Sequence, residues 1–432
     1  MSSNFQLTLN ARFSMTDLPG FKIRAAEESD RAQFINLARL AFMPTRSQAD
    51  VEKEMQDELL NPPGGQGWVV ADQADNLAGR YRHLELALFF QRIEFPMAGV
   101  AGVAVAPERR GQKLAQLMIE HALHRFHEQQ IPLSMLYPFQ HGFYRKLGWA
   151  WVGETRQYRV SARHLPLYAE RVNVVPYQDS LEASIKAVYQ KAAQQHNGWL
   201  QREPNRWKGY FKPEGGQEIY GYAEAGTLLG YVVIEFTHLE PTKTQWAIAV
   251  QEWVALTAEA YRGLIGFLAS LRDQVTTIVW NTDPQDPFPH LLSEQRHDPA
   301  LPPQPFGFGL THRFGATGGG FMWRLVDVVK ALELRPIHPG NPFAIAFHII
   351  DPVLGNQQIS IEFVDQKMHC TQQPAATRLM LSIEHLTQLF CGMRSAVELH
   401  WLGDIDIEGD STLLSNLDAA WQAKPPFCWD FF

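Results

Sequence analysis

The run VAVAPERRGQKLAQLM, residues 103–118, sets Arg109, Arg110, Gly111 and Lys113 between a strand-like stretch and a helical one. A helix start leaves its first N–H groups unpaired and carries a partial positive charge. A phosphate or pyrophosphate fits there. The three cations add charge, and Gly111 lets backbone approach a ligand. Val103, Ala104 and Val105 offer main-chain groups for strand-like pairing with an amide-rich arm. Pyrophosphate and amide arm together describe coenzyme A. The competing reading of the same residues is a surface turn that caps an ordinary helix.

A second set follows the next apolar stretch. In HGFYRKLGW, residues 141–149, Tyr144 is a candidate general acid. A phenol of pKa near ~10 protonates a departing thiolate of pKa near ~8.5 with reasonable driving force. The alternative is a packed aromatic ring with its hydroxyl tied to backbone. A third set closes the chain. In FCWDFF, the side chains of Phe427, Cys428, Trp429, Phe431 and Phe432 favour burial, worth about 1.5 to 3 kcal/mol for a large one. A solvated tail is rarely so apolar. A buried chain end brings its carboxylate with it, and burial raises the basicity of that group above its free pKa of about 3.5. The alternative is a hydrophobic strand end that plugs the third region.

These sets need elements to hold them. Residues 21–155 read as an α/β unit: FKIRAA as a strand, EESDRAQFINLARLAF as an amphipathic helix, three further strands, a helix from about 112 to 128, and the strand PLSMLY. LGWAWVGETRQYRV closes that unit. Residues 156–316 read as a second α/β unit. It holds a hairpin in EIYGYAEAGTLLGYVVIEF and a helix that starts at the capping-box-like Thr257. A long Pro/Gly-rich connection follows, from DPQDPFPH to FGFG. From residue 317 the pattern becomes α+β, with alternating strands in FAIAFHIIDP and QQISIEFVD. A helix there has Ser382 as cap and Gly392 as stop.

Composition narrows the function. A chain of 432 residues implies two or three domains. The net charge of −8 argues against broad nucleic-acid affinity. Cys370, Cys391 and Cys428 are too few and too scattered for a disulfide framework or a four-cysteine zinc site, which fits a cytoplasmic protein. No apolar run is long enough for a membrane span, and the first twenty residues read as a tail rather than a secretory signal. His121, His124 and His127 share a helix, but at about 100° per residue they cannot all face one metal. DIDIEGD resembles a calcium loop, yet its twelfth position is Ser415, not the required Glu. No metal is expected.

The strand, the Val105-Ala106-Pro107 turn, Arg110-Gly111-Gln112-Lys113-Leu114-Ala115 and the FYRKLGW segment resemble the GNAT acetyltransferase superfamily. Lys113 departs from it, standing where the superfamily has its first motif glycine. The whole layout is similar to the Eis (enhanced intracellular survival) family of N-acetyltransferases. VAVAPERRGQKLAQLM, HGFYRKLGW, QEWVALTAEAYRGLIGFLASLRDQ, FMWRLVDVVKAL and PPFCWDFF carry that resemblance. It implies an α/β and α+β fold: a tail at 1–20, a GNAT domain at 21–155, a second GNAT-like domain at 156–316 and a sterol-carrier-like (SCP2-like) domain at 317–432. It implies acetyl-CoA as cosubstrate, held by Val103, Ala104, Val105, Arg110, Gly111, Gln112, Lys113, Leu114, Ala115 and Gln116, with Phe139 and Gln140 near the thioester. Tyr144 then serves as general acid and the terminal carboxylate, here on Phe432, as general base. The acceptor would be an amine on a polyamine, an aminoglycoside-like molecule or a lysine, and the assembly a homohexamer. The rival class is a non-catalytic protein that holds an apolar ligand in its sterol-carrier-like domain.

Overall fold

The computed structural model describes residues 17–432 except 56–59, 61–63, 208–209, 212–215, 239–245, 295–303, 307–308, 312–314, 365–366 and 372. Most of the expected N-terminal tail, and parts of the NPPGGQG turn and of the Pro/Gly-rich connection, lie outside the described residues.

Among these residues the first sheet runs in the order Asp17–Leu18, Phe21–Ala25, Gly65–Asp72, Leu77–Phe90, Ile93–Val105, Leu133–Leu136, Met322–Leu325 and Ala150–Trp151. Its neighbours are antiparallel except Ile93–Val105 and Leu133–Leu136, which run parallel. A helix, Leu114–Glu128, joins that parallel pair. It buries Leu114, Met118, Ala122 and Phe126 against one sheet face, at the i, i+4 spacing its sequence shows. The other face near Ile93 and Leu133 packs on the third region in one continuous core that includes Phe95, Met97, Trp323, Phe347, Phe390 and Trp421.

The second sheet has the order Gly315–Gly319, Glu154–Ser161, Val275–Thr282, Trp246–Ala255, Thr227–Thr237, Gln217–Glu224 and Val174–Pro176. It too has one parallel pair, Trp246–Ala255 with Val275–Thr282, joined by the helix Ala258–Ser270. The hairpin expected near residue 225 is there. Thr257 caps the helix by accepting from the Ala260 N–H at 3.1 Å. The third region is a five-stranded sheet, Lys367–Thr371, Gln357–Val364, Phe343–Ile350, Arg378–Ser382 and Asp406–Glu408, with helices on it. Ser382 caps one of them through the His385 N–H, and Gly392 follows it at φ +76°.

The chain does not divide at the linear boundaries its composition suggests. Glu154–Ser161, read above as closing the first unit, pairs only within the second sheet. Met322–Leu325, read as the start of the third region, inserts between Leu133–Leu136 and Ala150–Trp151 of the first sheet. Each of these two sheets thus takes a strand that the sequence reading places elsewhere. Strand pairing across this separation leaves no local sequence signal, since period and propensity are the same in either sheet. A buried ion pair, Arg324 to Asp351 at 2.6 Å, ties the inserted strand to the third region.

Candidate active site

The site begins where the parallel pair of the first sheet parts. Ile93–Val105 and Leu133–Leu136 pair from Met97 with Leu133 to Val100 with Leu136, and no further. On its other side Ile93–Val105 carries a bulge: Arg80 faces Ala104 and Arg82 faces Ala101, so Gly102 and Val103 oppose one residue. Gly102 has φ +58°, and a Cβ there would meet Arg80 Nη2 at 2.7 Å. The positive φ favours glycine here, and its bare Cα leaves room for the end of the Arg80 side chain. Ala101, Gly102 and Val103 therefore lie beyond the last rung shared with Leu133–Leu136.

The junction then runs through a single 3-10 turn, Pro107–Arg109, to Gly111 at φ +81° and Lys113 at φ +59°. The helix Leu114–Glu128 has no side-chain cap. Its first N–H groups are thus open to an anion. Arg110, Gly111, Gln112 and Lys113 are exposed, whereas Leu114 is buried, with Ala115 and Gln116 half-buried beside it. Arg109 is not free for a ligand, because it pairs with Asp72 at 3.0 Å. Lys113 takes the left-handed conformation that its superfamily's glycine suits. Its side chain is exposed.

Tyr144 sits in the short helix His141–Arg145. Its carbonyl accepts from the N–H groups of Leu147 at 2.9 Å and Trp149 at 3.2 Å, which folds the chain tightly under it. Arg324 Nε donates to the Leu147 carbonyl at 3.0 Å, so the inserted strand braces this turn. The residue is only 3 % exposed, walled by the rings of Phe139, Phe143 and Trp149. Burial pushes its phenol above the ordinary tyrosine range. Its hydroxyl makes no hydrogen bond to the described residues, which leaves it available. Phe139 and Gln140 are exposed beside it.

The closing segment does not form a strand. It threads between the first and second regions. Phe427 is buried among Trp199, Tyr189 and Trp429. The Tyr137 hydroxyl donates to the Asp430 carbonyl at 2.5 Å. The ring of Phe432 lies against Gly99, one residue before the last rung of the parallel pair; a Cβ on Gly99 would meet its Cε2 at 2.8 Å. Tyr137 contacts the Phe432 ring edge-on at 5.7 Å, and Arg206 lies over it at 5.3 Å. Phe431, expected to be buried, is 77 % exposed. Tyr137, Arg202 and Arg206, all against the tail, were not singled out from sequence. The isolated Asp430 among aromatic residues was the available signal: a buried acid needs a cation.

A cavity of about 870 Å³ lies elsewhere. It is lined by Trp253, Val254 and Asp283 of the second region, with Phe427 and Trp429 as one wall, and Tyr144 does not border it.

Comparisons with known proteins agree with this architecture. Residues 22–152 and 198–324 each match an acetyltransferase (GNAT) domain family, and residues 328–429 match the sterol carrier protein domain. The N-acetyltransferase Eis of Mycobacterium tuberculosis (strain ATCC 25177 / H37Ra) is 25 % identical over 374 residues, covering 82 % of this chain and 86 % of that protein. The chain is homologous to the Eis N-acetyltransferases. It is an acyltransferase with two GNAT domains followed by an SCP2-like domain. Two solved structures share the fold. A GCN5-related N-acetyltransferase from Anabaena variabilis superposes with TM-score 0.80 at 24 % identity, over 95 % of this chain and 100 % of that one. Eis1 from Mycobacterium abscessus does so with TM-score 0.74 at 19 % identity, over 95 % and 100 %. GNAT acetyltransferases use acetyl-CoA. Among the described residues no cluster of metal ligands occurs, and no helix is long and apolar enough to cross a membrane.

Proposed function

We propose that the first region binds acetyl-CoA in the fork between Ile93–Val105 and Leu133–Leu136 and transfers its acetyl group to an amine. The single observation that carries this is the Phe432 ring seated on Gly99, at the fork that Tyr144 follows in the chain. The pyrophosphate rests on the uncapped N–H groups of Leu114, Ala115 and Gln116, with Arg110, Gly111, Gln112 and Lys113 beside it. Val103, Ala104 and Val105 pair with the amide arm, and Phe139 and Gln140 border the thioester.

The amine nitrogen attacks the thioester carbonyl. A C–N bond forms and the C–S bond breaks. The carboxylate of Phe432, directly or through water, takes the amine proton, and Tyr144 gives its proton to the leaving thiolate. Proton return from the carboxylic acid to the phenolate through solvent closes the cycle. Main-chain N–H groups at the Gly102–Val103 bulge face the developing oxyanion. No covalent enzyme intermediate is needed. The acceptor class is a polyamine, an aminoglycoside-like amine or a lysine. The protein works in the cytoplasm as a homohexamer.

The lipid-binding reading finds less support. The third-region cavity bounded by Ile337, Phe343, Phe363 and Ala420 is about 150 Å³, below the ~300 Å³ of ordinary ligand pockets, and a larger one of about 380 Å³ is lined by His348, Asn356, Gln357 and Gln358 beside Ile349, Ile350 and Met380, a polar wall that suits a wholly apolar ligand poorly. Trp421 and Arg335 fill the space beside it, and the Arg335 guanidinium donates to the Phe390 and Trp421 carbonyls.

The test is thiol release from acetyl-CoA with a panel of polyamines, aminoglycosides and lysine peptides. It is run on the chain as given and on one extended by two glycines after Phe432. Extension should lower kcat at least 100-fold, in the range of a lost general base, with acetyl-CoA binding retained in calorimetry. Full activity in the extended chain removes the terminal carboxylate from the mechanism.

A further inference from the structure

The mechanism above asks a chain terminus to hold one position, although termini ordinarily fray. The anchor lies two residues before the end. The Asp430 carboxylate accepts from Arg202 Nε at 2.9 Å and from the Tyr189 hydroxyl at 3.0 Å. Arg202 is only 8 % exposed. Its guanidinium spends its other two nitrogens on Glu252, Nη1 to Oε1 at 3.1 Å and Nη2 to Oε2 at 2.5 Å. Glu252 Oε1 also accepts from the hydroxyls of Tyr210 and Tyr231. The Tyr189 ring lies under the guanidinium at 3.8 Å. On the opposite side, the Tyr137 hydroxyl holds the Asp430 carbonyl. Every arm of the fork is committed, and the planar guanidinium fixes direction as well as distance.

We propose that Arg202, oriented by Glu252, is a positioning residue that clamps Asp430 and thereby aims the Phe432 carboxylate into the first region's fork. The clamp gives the second region its part in the reaction. The side chains that hold the Asp430 carboxylate, directly or through Arg202, at residues 189, 202, 210, 231 and 252, all come from that region, while Tyr137 of the first region holds its carbonyl. Only two residues separate the clamp from the chain end, so a loosened Asp430 frees the carboxylate over several ångströms. This inference rests on the terminal carboxylate acting as base.

Asp430→Asn is the variant of choice. It keeps the shape and leaves Arg202 a neutral buried pair with Glu252, so the fold survives; its melting temperature serves as control. Two readouts are taken on the full chain. The first is kcat against KM for acetyl-CoA: kcat should fall at least tenfold with KM within twofold. The second is release of phenylalanine by carboxypeptidase Y, which should quicken at least tenfold and which does not depend on any catalytic role. An unchanged kcat or an unchanged trimming rate overturns the clamp. Failure of the base assignment shows separately, as full kcat in the glycine-extended chain whatever Asp430→Asn does.

Discussion

In the first region the strand Ile93–Val105 reaches its helix through residues 106–113; in the second, Trp246–Ala255 reaches Ala258–Ser270 through Leu256 and Thr257 alone. The units are otherwise alike: a parallel pair, a crossover helix, a short helix after the second strand. The first helix begins uncapped, among exposed basic residues. The second begins with Thr257 bonded to the Ala260 N–H and with Glu259 in its first turn, beside Arg262 at 3.1 Å. A capped and acid-bearing terminus has no place for a pyrophosphate. Where the first region has Tyr144 in His141–Arg145, the second has the buried Phe288 in Phe288–Leu291. On the proposed function, anion binding and proton donation would thus reside in a few residues at the strand ends. The shared fold supplies only their placement.

Converting the first region toward the second tests that difference. The largest effect should come from Tyr144→Phe, which keeps the ring and removes the hydroxyl alone. We expect kcat to fall about 100-fold or more, the range of a lost general acid. Acetyl-CoA affinity in calorimetry should hold within twofold. Burial raises the phenol above its ordinary range, so Tyr144 keeps its proton at neutral and moderately alkaline pH. The wild-type kcat profile should therefore show no alkaline loss below about pH 10 from this group. A kcat that survives the change would return Tyr144 to the role of packed aromatic.

Ala115→Glu comes next. Ala115 is the second residue of its helix, as Glu259 is of its own. An acid there stabilises the free helix slightly and repels a bound phosphate. The melting temperature should hold or rise while acetyl-CoA affinity drops about 10- to 30-fold, or about 1.4 to 2 kcal/mol. Opposite signs on stability and binding would mark the helix start as the anion site. A parallel loss of both would mean only a damaged helix.

These contrasts were partly legible beforehand, and the physics says which parts. The junction, Thr257, Ser382 and the hairpin near residue 225 are local: caps, turns and periodicity lie within a few residues of what they specify. The sheet placement of Glu154–Ser161 and Met322–Leu325 is not, because a strand's pattern shows which face is buried and not which neighbour it joins. The Arg202–Asp430 clamp spans 228 positions and likewise left only its acid as a trace. Phe431 shows the limit from another side. Its apolar character argued for burial, yet it projects into solvent beside two anchored neighbours, since an exposed aromatic ring is ordinary on a protein surface.

The smallest effect bears most directly on why the first helix terminus works. Lys113 holds φ +59°, whereas the second region's Thr257 sits at φ −136° in extended backbone. A left-handed lysine costs about 1 to 2 kcal/mol, and Lys113→Gly removes that strain. The glycine also loosens the unfolded chain, which offsets about 0.4 to 1 kcal/mol. The net gain in stability should be about 0.5 kcal/mol, read as a small rise in the denaturation midpoint. Binding discriminates further. If open N–H groups and Gly111 hold the pyrophosphate, the solvent-facing lysine contributes only a screened charge, and acetyl-CoA affinity should change by no more than about threefold. A loss beyond tenfold would mean that the Lys113 ammonium grips the phosphate itself. The family's glycine would then have been exchanged for a ligand rather than merely tolerated as a strained turn.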